Sequence, residues 1–209
     1  MSSIFYKSRI LLDKRSQLPQ VQFIDTDYFI FCLEAVEDVE MNEVTDTQKK
    51  LEELTMNHGI ATIHKTCDTI EGLEESLNTL VLDDHNFKNY EIIYLVITGE
   101  RNNICLNDYY YSLQEVAEIF EGRLNDKILH FSNAKALDLE EEEFQYFLDI
   151  TGAKAISGYG NEFNGISSSN LDSVFFNLFK EDDDMLNVVE KLYQKHYKLC
   201  TLLDFRLYY

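Results

Sequence analysis

The stretch from Tyr90 to Glu100, YEIIYLVITGE, constrains this chain more than any other. Its centre, Tyr94 to Ile97, is an unbroken apolar run that stops at Thr98, Gly99 and Glu100. A half-buried strand would alternate apolar and polar residues. This one does not, so it reads as a strand buried on both faces. Such strands lie in parallel sheets covered by helices. In open α/β sheets the chemistry sits in the crevice beyond the strands' carboxyl ends. Thr98, Gly99 and Glu100 therefore mark the expected rim of a site.

The rest of the chain supplies the partners such a sheet needs. Asp27 to Glu34 is apolar almost throughout and reads as another central strand. Thr45-Asp46 offers an N-cap for a helix that runs to about His58, where Gly59 ends it. Ile60 to Lys65 reads as a strand. Thr69 to Leu82 reads as an amphipathic helix with Ile70, Leu73, Leu77, Leu80 and Val81 on one face. Ile104 to Leu106 and Tyr109 to Tyr111 flank Asn107-Asp108, a two-residue hairpin turn. Ser112, with Glu115 three residues on, is a capping box for a helix that ends at Gly122. Lys127 to Phe131 and Lys154 to Ser157 read as strands. The helix between them, Leu139 to Asp149, has an acidic first turn that suits the helix dipole. Helices follow over roughly 171–180 and after Asp182 to Asp184, and Thr201 to Tyr209 reads as a closing strand. This alternation predicts a mostly parallel sheet with helices on both faces. Residues 1–26 form a locally basic arm, with Lys7, Arg9, Lys14 and Arg15 and a short strand at Ile10 to Leu12. Residues 27–209 form the domain.

The formal net charge of −20 argues against direct binding to nucleic acid or anionic membranes and favours a basic protein partner. No stretch approaches the roughly 18 apolar residues that span a bilayer. The first residues, Met1 to Lys7, lack a signal-peptide pattern. Cys32, Cys67, Cys105 and Cys200 lie far apart, as free thiols in a reducing cytosol do. The expected location is cytoplasmic. The tail, Leu202 to Tyr209, ends in aromatics and is expected to pack on the sheet or across an interface between copies.

Several stretches together resemble the caspase-like fold, including bacterial CHAT-type peptidases and small caspase-like proteins. They are Phe29 to Glu34, Leu95 to Glu100, Ile104 to Asp108, Ser112 to Ala117, Ile128 to Leu137 and Gly152 to Tyr159. Together they span roughly 27–180. In that group a strand ends in His-Gly, often followed by Glu. A short hairpin and a helix opening in Ser-Leu come next, and the following strand ends in a small-residue turn holding the nucleophilic Cys. The resemblance implies a caspase-like three-layer sandwich. It also places Thr98 where the family's His would be. Ala134, or a neighbour between Ser132 and Lys135, stands where the Cys would be. Threonine has no basic nitrogen and alanine no nucleophile, and a Cys/His peptidase needs both. The resemblance thus implies a pseudo-peptidase that binds another protein, in the regulatory or defence settings where bacterial caspase-like proteins recur. The crevice would be lined by Gly99, Glu100, His130, Ser132, Asn133, Lys135, Gly158 and Tyr159.

Other chemistry is open to the same residues. An active peptidase could use a relocated nucleophile, Cys67 beside His64 or Cys105 in the hairpin. His130 could be a displaced base, although a histidine within a strand is ordinarily a satisfied core residue. Gly158-Tyr159-Gly160 resembles part of a dinucleotide loop, but Phe163 occupies the third glycine position. A nucleotide or other small-molecule sensor using the same crevice is the remaining alternative. Asp25 to Asp27, Glu140 to Glu143 and Asp182 to Asp184 are dense in carboxylates, yet each opens a predicted helix or strand. Neither a metal nor a cofactor is expected.

Overall fold

The structure, a computed structural model, describes residues 10–11, 20–21, 29–37, 44–85, 87–135, 137–161 and 167–209. Ile10–Leu11 (β1) and Gln20–Val21 (β2) pair antiparallel in a ribbon of their own. The rest of the arm lies outside the described residues. The main sheet comprises Phe29–Ala35 (β3), Ala61–Cys67 (β4), Tyr90–Glu100 (β5), Asn103–Leu106 (β6), Tyr109–Ser112 (β7), Ile128–Lys135 (β8), Ala155–Tyr159 (β9) and Phe205–Tyr208 (β10). The helices are Asp46–His58 (α1), Ile70–Asp83 (α2), Leu113–Ile119 (α3), Glu141–Thr151 (α4), Ser169–Glu181 (α5) and Met185–Leu203 (α6).

The strand order is β10-β9-β8-β5-β3-β4, and the β6–β7 hairpin hangs from the carboxyl end of β5. β4, β3, β5, β8 and β9 run parallel, and β10 closes the edge antiparallel to β9. This is the expected α/β sandwich with helices on both faces. The chain leaves β3 for β4 on one side, then returns to place β5 on the other. The switch point of the sheet therefore lies between the carboxyl ends of β3 and β5.

Local signals account for the element ends. The Thr45 hydroxyl accepts from the Gln48 amide, and Gly59 ends α1 at φ 65°. The Ser112–Glu115 capping box opens α3. Asn107 and Asp108 both have positive φ, as a type I′ hairpin turn requires. The expected closing strand is a correction. α6 continues to Leu203, and only Phe205–Tyr208 forms strand, because Asp204 turns the chain at φ 52°.

β5 separates two cores. Ile93, Leu95 and Ile97 join Phe31, Leu33, Leu129 and Phe131 under α2, α3 and α4. Ile92, Tyr94 and Val96 join Ile30 and Cys32 under α1, α5 and α6. Burial on both sides is why the run does not alternate. Each large apolar side chain so buried contributes about 1.5–3 kcal/mol. No helix among the described residues is long and apolar enough to cross a membrane.

Candidate functional site

β5 and β8 lie side by side up to the carboxyl edge. Their register shifts after Val96, and Gly99 then stands opposite Ala134 and Glu100 opposite Lys135. Thr98 and Glu100 are exposed, while Gly99 is buried. A Cβ on Gly99 would lie 2.1 Å from the Asn103 carbonyl oxygen, so only glycine lets the strand turn this closely into the hairpin. The loop that follows is held tightly. Arg101 and Asn102 take φ of 51° and 60°. The Asn103 amide donates to the carbonyls of Glu100 and Arg101, at 3.0 and 2.9 Å.

Asn102 also reaches across to the segment after β8. Its amide donates to the Asp138 carbonyl at 2.8 Å and its oxygen accepts from the Asp138 amide at 2.7 Å. From β10, Arg206 donates to the Leu137 carbonyl at 2.9 Å and pairs with Asp138 and Asp204. The Tyr208 hydroxyl donates to the same carbonyl and accepts from the Leu139 amide. The Tyr208 ring lies 5.4 Å from that of Phe144, so the tail packs on its own domain. The two loops that frame the edge are therefore fastened to each other and to the last strand.

Below this edge, on the α5 side, lies a sealed polar network. The Asp172 carboxylate projects from α5 and is 1 % exposed. It accepts from His130 Nε2 at 3.0 Å, from the Tyr94 hydroxyl at 2.7 Å, from Ser132 at 2.7 Å, and from the Tyr159 hydroxyl. His130 is fully buried, and its Nδ1 meets Ser157 Oγ at 2.8 Å. A carboxylate only accepts, so the proton of this pair sits on Nε2. Burial pushes the Asp172 carboxyl up, but the hydrogen bonds and charge of His130, then the tyrosines, outweigh it and hold the group below the usual carboxylate range. Burial and the nearby Asp172 push the Tyr94 and Tyr159 hydroxyls well up, so both remain protonated donors. Ser132 donates to the carboxylate rather than to the histidine, and solvent reaches neither. The cluster holds α5 against the sheet, and each of its members is buried among the described residues.

A second carboxylate stands at the switch point. Glu34, at the end of β3, accepts from Thr45 at 2.6 Å and Thr47 at 2.7 Å and meets His64 Nε2 at 2.8 Å. Burial raises its carboxyl, but the bonds from His64, Thr45 and Thr47 bring it below the usual range. The alternative pairing of His64 with Cys67 does not form. Three residues apart on one strand, they face opposite sides of the sheet, and Cys67 is buried in the α2–α3–α4 core. Burial pushes the Cys67 thiol up to about 12. Cys105 lies in the hairpin opposite Tyr110, half-buried, between the core residues Ile104 and Leu106.

The expected crevice thus divides. Gly99 and Glu100 are at the edge, whereas His130, Ser132, Gly158 and Tyr159 are buried beneath it. The side chains of Asn133, Ala134 and Lys135 lie outside the described residues, as does Phe163. Gly158 packs against Phe131 and Leu137, and the Gly160 amide donates to the Asp204 carbonyl at 2.8 Å, so this segment serves packing. Asp184 caps α6 and Asp182 pairs with Lys191, which explains that acidic run. Asp25 to Asp27 lies outside the described residues. A cleft of about 430 Å³ does open at the carboxyl edge, but on the α4 side, between the Arg101–Asn103 loop, the start of α3 and α4. Sequence reasoning missed this cleft, Asp172 and Glu34. The one available signal was the two-residue spacing of His130 and Ser132, which turns both to the same face of β8.

Residues 27–209 match the model of a family of unknown function, DUF6642. The chain belongs to that family. No curated protein matches it in sequence. Among solved structures it is similar to the Drosophila initiator caspase Dronc, with a TM-score of 0.51 and 11% identity over 92% of this chain and 86% of that one. The DUF6642 chain thus has a caspase-like fold, and at this identity the likeness speaks to the fold alone.

Proposed function

We propose that this DUF6642 protein is a caspase-like protein without peptidase activity that acts by binding another protein, in a regulatory or defence setting. The observation that carries this reading is the carboxyl edge of β5 and β8. There Thr98 adjoins Gly99, which stands opposite Ala134. These are the strand ends at which a caspase-like Cys/His peptidase would present its imidazole and its thiolate. His130, on the adjoining strand, has both ring nitrogens committed to Asp172 and Ser157. The Cys32 and Cys67 thiols are buried and raised, which suppresses the thiolate that would attack a carbonyl. A rigid edge framed by fastened loops suits recognition, because little order remains to be imposed on binding.

The test pairs a chemical probe with a binding assay. The purified chain is expected to leave fluorogenic peptide libraries uncleaved and to take no acylating cysteine-directed probe. Turnover together with labelling of one cysteine, lost in Cys105→Ala or Cys67→Ala, would overturn the pseudo-peptidase reading. In cells, crosslinked wild-type protein is expected to capture a protein that a Thr98→Arg variant loses. Equal capture by both moves the binding surface away from this edge.

A further inference from the structure

The 430 Å³ cleft on the α4 side has a lining that the fold does not use up. Its floor is apolar, with Leu113, Leu139 and Phe147 all buried. Arg101 stands on the hairpin-loop wall and Glu142 on the α4 wall. Neither side chain takes part in a hydrogen bond or ion pair among the described residues; the Asn103 bond to Arg101 goes to its backbone carbonyl. The neighbouring Glu143 is different, since its carboxylate accepts from the Glu140 amide at 2.9 Å in the α4 capping box. Tyr146, 38% exposed, adds a ring and a hydroxyl to the same wall as Glu142. The loop that carries Arg101 is fixed by the Asn102–Asp138 and Asn103 bonds, so the guanidinium is mounted on rigid backbone.

A guanidinium on the loop wall and a carboxylate on the α4 wall of an apolar-floored cleft, neither with a partner among the described residues, form a dipolar site. A purely anionic ligand would meet Glu142 and Glu143, and a purely apolar one would leave both charges unused. A ligand with a carboxylate at one end, an ammonium at the other and an apolar body between them satisfies every wall. Arg101 can take a carboxylate with two parallel N–H bonds, and Glu142 can accept from an ammonium. The volume is in the range of sites for small organic ligands. We propose that this cleft binds a zwitterionic ligand of the amino-acid or short-peptide class, its carboxylate on Arg101, its ammonium on Glu142 and its side chains over Leu113, Leu139 and Phe147. The site is separate from the β5–β8 edge and stands whether or not that edge is catalytic.

The experiment titrates the full chain with trileucine carrying both free termini, with its N-acetyl form, with its C-terminal amide and with free leucine, by calorimetry and thermal shift. Trileucine is expected to raise the melting temperature progressively with concentration, as binding to the native state requires. Blocking either terminus is expected to weaken binding about tenfold, the size expected for one charge-assisted hydrogen-bonded contact. In Arg101→Met the preference for a free carboxylate should vanish while that for a free ammonium remains. In Glu142→Gln the pattern should reverse. Both substitutions remove side chains without partners, so unchanged far-ultraviolet dichroism is expected. Comparable binding of leucine alone would assign the site to the free amino acid, and binding of trileucine alone to peptides. Equal binding of capped and uncapped peptides, an unchanged preference in Arg101→Met, or no binding by any of the four would overturn the proposal.

Discussion

On the α2–α3–α4 face of the sheet, Ile93, Leu95, Leu129 and Phe131 meet hydrocarbon. On the α1–α5–α6 face the alternate residues of the same strands, Tyr94, His130 and Ser132, meet a buried carboxylate. Hydrocarbon contact is non-directional, and a helix over the first face can shift slightly and keep most of its burial. Over the second face, α5 has one rotation and one height at which Asp172 receives its donors. Elsewhere the His130 Nε2–H and the two tyrosine hydroxyls would be left buried without this acceptor. One face thus mainly supplies stability, and the other mainly supplies position. The carboxylates on the second face also tie it to pH.

The largest test of this contrast is Asp172→Ala. It strands the His130 Nε2–H and the Tyr94 and Tyr159 hydroxyls without their acceptor and is expected to destabilise the fold by about 3–5 kcal/mol in urea denaturation, the range for breaking a buried pair. A loss below about 1 kcal/mol would mean that α5 is positioned by its phenylalanines and the network is incidental. Leu95→Ala removes bulk from the apolar face and is expected to cost about 3 kcal/mol. Its pH profile of stability should match wild type, whereas that of Asp172→Ala should not.

Acid separates the faces further. The Asp172 and Glu34 carboxyls are both depressed in the folded state. The unfolded chain binds protons first, at about pH 4. The stability these groups contribute is therefore complete above that pH and is lost as pH falls through their folded values. Denaturation midpoints at pH 6 and pH 3 should show this loss. Glu34→Gln should flatten part of it, and Leu95→Ala should leave the slope unchanged. A wild-type profile level from pH 6 to pH 3 would sink the electrostatic account. The smallest effect is Arg206→Ala, at about 1 kcal/mol, because the guanidinium is partly exposed. Its signature is local: faster amide exchange at Leu137 and Leu139, with α2 unaffected.

Much of the first face was legible in the sequence. The unbroken Tyr94–Ile97 run, the spacing of Leu73, Leu77 and Leu80, and the small turn at Asn107-Asp108 all act within a few residues, where periodicity and backbone preference dominate. The polar face was not. Asp172 reads as an ordinary acidic residue in the first turn of a helix, and its partners at 94, 130, 132 and 159 are scattered along the chain. His64 and Cys67 show how little closeness in sequence says of closeness in space, because three residues along one strand send them to opposite faces. Thr201, Leu202 and Leu203 suit strand or helix by sequence alone, and packing of α6 on α5 decides for helix.

The sequence by itself determined where most elements begin and end, which strands are buried on both faces, and that Thr98, Gly99 and Glu100 stand at the carboxyl end of β5. Caps, turns and apolar periods are local, and they act on each segment before it meets another. Only the tertiary structure decided that α5 brings a carboxylate to His130, that β10 clamps the segment after β8, and that Arg101 and Glu142 face one cleft unpaired. Those arrangements depend on angles and distances between residues far apart in the chain. A hydrogen bond forms or fails over a few tenths of an ångström, which no local pattern specifies.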